Sequence, residues 1–129
     1  MAKKRYRKGD IIIKEGTFGK EMYVIISGKA RVFKTIDKKK FELSELGPDD
    51  FFGEMSLFLS LPRTATVQAM GPTEVLVCEK DEFISVVKAD PELAQQIIST
   101  MAKRLHEAHN VIIRVEGEKK SLKIMHGIK

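Results

Sequence analysis

At 129 residues, 43% hydrophobic and 32% charged with a net charge of +5, the chain has the composition of one soluble folded domain with its own core. No run is long and apolar enough to span a bilayer, and Met1–Arg5 is charged with no apolar stretch behind it, so neither a membrane span nor a signal peptide is expected. Cys78 is the single cysteine, which excludes an internal disulfide and suits a reducing, cytoplasmic setting.

In chain order, Lys3, Lys4, Arg5, Arg7 and Lys8 read as a solvated basic terminus. The β pattern starts at Ile11-Ile12-Ile13. Glu21 to Ile26 forms a second strand, closed by Ser27-Gly28, and Ala30 to Lys34 alternates apolar and basic as a half-buried strand does. Asp37 to Lys40 turns the chain, with Lys38-Lys39-Lys40 as a solvated hairpin tip and not a nucleic-acid contact. Phe41 to Leu46 alternates again and stops at Gly47-Pro48. Thr64 to Met70 and Thr73 to Glu79 are two more strands, split by Gly71-Pro72, and Cys78 sits in the second as a core thiol. Many short strands joined by Gly-rich turns predict a sandwich or barrel.

From Lys80 the periodicity becomes helical. Asp81 is the expected N-cap of a short helix over about 81–88. Asp90-Pro91-Glu92 restarts a long helix over about 91–115, with Gly117 as its stop and 117–129 as a basic tail. Ile98, Met101, Leu105, Ala108, Ile112 and Val115 step by threes and fours, a heptad seam. That seam suits either a partner helix or the chain's own roll, and its length favours a partner, here a second copy across a two-fold axis. The histidines His106, His109 and His126 lie in or beyond this helix, and no third ligand is arranged near His106 and His109, so no metal is expected. No Ser-His-acid set, Cys-His set, P-loop or dinucleotide fingerprint is present, so no enzyme is expected.

The stretch between the fourth and fifth of these strands carries chemistry. Gly53-Glu54-Met55-Ser56-Leu57 leads to Pro62-Arg63-Thr64-Ala65-Thr66-Val67. Gly53 lets a ligand approach the backbone. The segment from Glu54 is a short helix whose first N–H groups favour an anion. Arg63 offers a permanent planar charge that grips two phosphate oxygens at once. Glu54 repels a phosphate and serves better as an acceptor for a sugar hydroxyl.

The string Gly53-Glu54-x-x-Leu57 followed by Pro62-Arg63-Thr64-Ala65-Thr66-Val67-x-Ala69 resembles the phosphate-binding cassette of the cyclic nucleotide-binding domains. Glu15-Gly16, Tyr23-Val24-Ile25-x-x-Gly28 and Val32 extend the resemblance over about residues 8–115. It implies a mainly β fold with α, a jelly-roll-type β-roll over about 9–79 with a short cassette helix and C-terminal helices, as one domain over 1–129. It implies that Glu54 accepts the ribose 2′-hydroxyl and Arg63 neutralises the cyclic phosphate. Backbone N–H groups near Gly53, Ser56 and Ala65, with the Thr64 hydroxyl, complete the anion site, and Met55 packs beneath sugar and base. The base is expected to be capped from the long helix, near Arg104, His106 or Asn110. Cyclic AMP is the expected ligand ahead of cyclic GMP. Helix movement is the expected output, read by an effector that the sequence does not name, with no direct nucleic-acid or membrane partner. Two other classes are implied: the sensor portion of a catabolite-activator-type transcription regulator without its DNA-binding domain, and a degenerate, non-binding dimerisation module.

Overall fold

A computed structural model describes the backbone of residues 1–119 and the side chains of residues 1–107. The chain divides into two compact units, Met1–Ser85 and the segment from Val86 onward.

The first unit is built from eight strands: β1 (Ala2–Tyr6), β2 (Ile11–Ile13), β3 (Glu21–Ser27), β4 (Ala30–Ile36), β5 (Lys39–Leu46), β6 (Phe51–Phe52), β7 (Thr66–Ala69) and β8 (Thr73–Glu79), with the short helix α1 (Glu54–Leu59) between β6 and β7. They form two four-stranded sheets, ordered β1-β8-β3-β6 and β2-β7-β4-β5, with every pairing antiparallel. This is the jelly-roll β-roll that the resemblance implied. The core lies between the sheets: Tyr23, Ile25, Phe52, Val75 and Val77 come from one, and Ile12, Ala30, Leu46, Val67 and Ala69 from the other. The inward residues are two apart on β3, β7 and β8, as the pleat demands. Tyr23 stacks on Phe52 with ring centroids 5.1 Å apart, which fixes β6, the strand that leads into the site, against β3.

Several boundaries differ from expectation. The roll begins at Ala2 and not near residue 9, because the basic terminus is an edge strand paired with β8 from Ala2↔Val77 to Tyr6↔Thr73. An edge strand held through its backbone needs no apolar period, and lysines there block further pairing. Arg5 meets the directly opposed Glu74, Nε to Oε2, at 2.9 Å. The β4–β5 turn is only Asp37-Lys38, both with positive φ, 52° and 66°, which is the type I′ geometry that suits strand twist. Lys39 and Lys40 therefore belong to β5. Thr64 and Ala65 precede β7 instead of opening it.

The helix α2 (Lys80–Ala89) starts one residue before the expected cap. Glu82 Oε1 accepts from the Glu79 N–H at 3.0 Å, so the capping role belongs to the Glu79/Glu82 pair and not to Asp81. In the second unit α3 (Pro91–Lys119) has its expected cap: Asp90 Oδ1 accepts from the Leu93 N–H at 3.1 Å. Gly117 does not end it, since α3 is helical through Lys119. A glycine in a helix costs only about 1 kcal/mol relative to alanine, so it stops a helix only when it also supplies a cap. Ile98 and Leu105 of the seam are 66% and 74% exposed, and Met101 is half-buried. The side chains of Ala108, His109, Asn110, Ile112 and Val115, and residues 120–129 of the expected tail, lie outside the described residues. Among the described residues no helix is long and apolar enough to cross a membrane, and no group of His, Cys, Asp and Glu could hold a metal.

Candidate functional site

The site grows from one geometric device. β6 runs straight into Gly53, which caps α1 with φ 86° and ψ 3°. That left-handed turn suits glycine. A Cβ there would also lie 2.8 Å from Arg63 Nη1 and 3.2 Å from the Glu21 carbonyl oxygen. Glu54 follows as the first residue of α1 and is partly buried. The Leu57 N–H reaches the Gly53 carbonyl at a long 3.4 Å, so the N–H groups of Glu54, Met55 and Ser56 precede the first intrahelical bond.

Arg63 is brought to the same place by the chain's return. It is 6% exposed, although it carries a permanent charge. Its Nη1 donates to the Gly53 carbonyl and its Nη2 to the Glu21 carbonyl, each at 2.9 Å. The guanidinium lies over the Tyr23 ring, 5.9 Å from its centroid. The two carbonyls orient the charge without cancelling it, and a guanidinium carries more N–H donors than they take up. Burying a charge is costly unless it is paired, so this arrangement favours an anion at the fork. Burial pushes the Tyr23 phenol above its usual range, the Glu21 carboxylate and Tyr6 add to this, and the Arg63 charge opposes it.

The remaining expected residues are distributed around this centre. Ser56 is buried, and its hydroxyl donates to the Leu61 carbonyl at 2.6 Å, tying α1 to the segment that returns to Arg63. The hydroxyl's proton is thereby used within the protein. Ser60 closes α1 in the left-handed region, with its N–H on the Ser56 carbonyl at 3.2 Å. Thr64 is exposed and Ala65 buried at the entry to β7, and Met55 is exposed on α1. Sequence reasoning places Glu15-Gly16 within the resemblance but misses that the loop between β2 and β3 holds the Arg63 main chain at both its N–H and its carbonyl. The Arg63 N–H donates to the Thr17 carbonyl at 2.7 Å, and the Gly16 N–H donates to the Arg63 carbonyl at 2.8 Å. The signal available was the Gly16–Gly19 spacing ahead of a strand, which reads only as a turn. Phe58 of α1 meets Phe83 of α2 edge-to-face at 5.5 Å, with the Lys80 ammonium 5.9 Å from the Phe58 centroid.

A two-sheet roll with a short helix and a buried arginine between its sixth and seventh strands is the architecture of a ligand-binding module. The chain belongs to the cyclic nucleotide-binding domain family, whose model matches residues 3–90. It is similar to the cyclic AMP receptor protein of Thermus thermophilus, 34% identical over 104 residues that make up 80% of this chain and 48% of that protein. It is also similar to the CRP-like cAMP-activated global transcriptional regulator of Mycobacterium tuberculosis, 30% identical over 106 residues, 81% of this chain and 47% of that one. The crystal structure of the Thermus thermophilus catabolite activator protein superposes with a TM-score of 0.80 at 30% identity, over 89% of this chain and 55% of that one. The chain spans about half the length of the curated relatives it matches.

Proposed function

We infer that this chain is a cyclic nucleotide sensor and not an enzyme, that cyclic AMP is its ligand ahead of cyclic GMP, and that it works in the cytoplasm. The observation that carries the reading is Arg63: a buried guanidinium held by two neutral carbonyls, Gly53 at the start of α1 and Glu21 at the start of β3. In this reading Arg63 neutralises the cyclic phosphate. The N–H groups near Gly53, Ser56 and Ala65 add donors, with the Thr64 hydroxyl beside them. Glu54 accepts the ribose 2′-hydroxyl, and Met55 packs beneath the sugar and base. The two named relatives respond to cyclic AMP according to their names, which supports the choice of base.

Output follows from linkage: a ligand shifts an equilibrium only by its differential affinity for the two states. The Phe58–Phe83 contact gives α1 a direct hold on α2, so a ligand that draws on α1 biases the helices that follow. The exposed Ile98 and Leu105 support a homodimer through α3. The half-length match to transcription regulators supports a second reading, in which this sensor serves a DNA-binding portion outside the present sequence.

Calorimetry with cyclic AMP and cyclic GMP, beside a thermal-shift series, tests the function. Binding of cyclic AMP with a raised melting temperature is expected. No binding of either nucleotide points to the non-binding dimerisation module instead. A preference for cyclic GMP of about tenfold or more, abolished by Thr64→Ala, shows that the base is guanine.

A further inference from the structure

Gly19 stands in the loop between β2 and β3, three residues after Gly16, and nothing about a turn requires a glycine there. Its φ lies outside the left-handed region, unlike those of Gly9, Gly16, Gly28 and Gly53. What distinguishes the position is its neighbour. A Cβ built on Gly19 would overlap Arg63 Nη2 and would lie 2.7 Å from Arg63 Cζ and 2.9 Å from Arg63 Nε. Real Cβ atoms do not tolerate such distances. The obstructing group is the end of a side chain, but that end is buried and hydrogen-bonded on both arms, to Gly53 and Glu21. It cannot yield by rotating without releasing a carbonyl.

The same loop fixes the arginine's main chain, through the Thr17 carbonyl and the Gly16 N–H. One short segment thus aligns the Arg63 backbone, supplies the void for its guanidinium at Gly19, and ends in the carbonyl of Glu21 that receives Nη2. We propose that Gly19 is the positioning residue for Arg63: its absent side chain is the slot that keeps the guanidinium aimed for the phosphate. The proposal rests on the reading of Arg63 as the phosphate ligand.

A double-mutant cycle on the full chain tests it, with Gly19→Val, Arg63→Ala and the combination, each titrated with cyclic AMP and each melted without ligand. Gly19→Val should weaken cyclic AMP binding by about tenfold or more in the presence of Arg63, and by less than about twofold once Arg63→Ala has emptied the slot. A lesion of the loop unrelated to Arg63 would weaken both backgrounds equally, and that additivity overturns the proposal. In the ligand-free melts Gly19→Val should lower the melting temperature more with Arg63 present than with alanine there. If Gly19→Val does not fold, Gly19→Ala takes its place in the same cycle with smaller expected shifts.

The outcomes separate the two claims. If Arg63→Ala loses affinity while Gly19→Val and Gly19→Ala bind as the parent does, the Arg63 reading stands and this proposal falls. If the unaltered chain binds no cyclic nucleotide, the functional reading fails and takes the positioning role with it, while non-additive ligand-free melts would still show the steric contact.

Discussion

The cassette and the long helix treat their conspicuous residues in opposite ways. Around Arg63 a charge is buried, and backbone groups from three places in the chain, Thr17, Glu21 and Gly53, hold it. Along α3 apolar residues are exposed: Ile98 and Leu105 stand on the surface of a helix that is capped by the Asp90 side chain. In the proposed function the first region is preorganised for a small anion, because the fork is already held by two carbonyls. The second gains free energy only when something covers its stripe. In the proposed reading the ligand meets a formed site, whereas a partner helix would cover a surface that the chain leaves open.

The contrast can be broken most forcefully at the helix. In the proposed homodimer, Leu105→Glu removes an apolar anchor from each copy, about 1.5–3 kcal/mol each. That should weaken dimerisation by roughly a hundredfold or more, without unfolding the roll. Light scattering with and without nucleotide, beside a melting curve, reads both. A chain that is monomeric before substitution, and that Leu105→Glu unfolds, makes the stripe part of a core.

Next is the arginine. Losing a buried charge-assisted contact costs about 2–5 kcal/mol, so Arg63→Ala should weaken cyclic AMP binding by roughly 30-fold or more. Arg63→Lys should recover only part, because a point charge cannot serve two carbonyls and a phosphate in one plane. Near-parental affinity for Arg63→Ala in calorimetry would falsify its role at the phosphate.

Glu54 is the second cassette side chain with an expected role at the ligand. Glu54→Ala should cost about tenfold or somewhat more, in line with the roughly 1.5–3 kcal/mol of a hydrogen bond to a charged group. A 2′-deoxy cyclic nucleotide should bind the parent less well, yet lose little more in Glu54→Ala. Simple addition of the two losses means that Glu54 does not touch that hydroxyl.

The smallest effect belongs to the pair that ties β1 to α2. The Met1 ammonium donates to the Glu82 carboxylate, which raises the amine above its ordinary value of 8.0 and lowers Glu82 below its ordinary 4.5. The amine's share of stability is complete below pH 8.0 and fades as pH rises through its folded-state value. The carboxylate's share is complete above pH 4.5 and fades as pH falls through its own. The pair is exposed and screened by salt, so Glu82→Gln should shift the melting temperature only slightly, at neutral pH and low ionic strength. An equal shift at high ionic strength would show that the ion pair is not its source.

What was legible in the sequence was what side chains encode. β3, β4 and β8 show their period because one face is apolar, and the cassette shows Gly53 and Arg63 because no other residue types supply an open backbone and a planar charge. β1 was hidden because Lys3, Lys4 and Arg5 have no apolar face to display, and β6 because two phenylalanines have no period. Thr17 and Glu21 act on Arg63 through main-chain carbonyls, which every residue possesses, so their identities carry no trace of the task. Gly19 is the exception, since its side chain matters by being absent.

The β4–β5 turn has a practical consequence. Asp37 and Lys38 both occupy the left-handed region without being glycine, and Lys38 has no local side-chain bond to offset it. Lys38→Gly, or Asn-Gly in place of the pair, should relieve roughly 1 kcal/mol of conformational strain at a surface tip. This gives experimenters a more robust background in which damaging substitutions elsewhere can be measured on a folded protein.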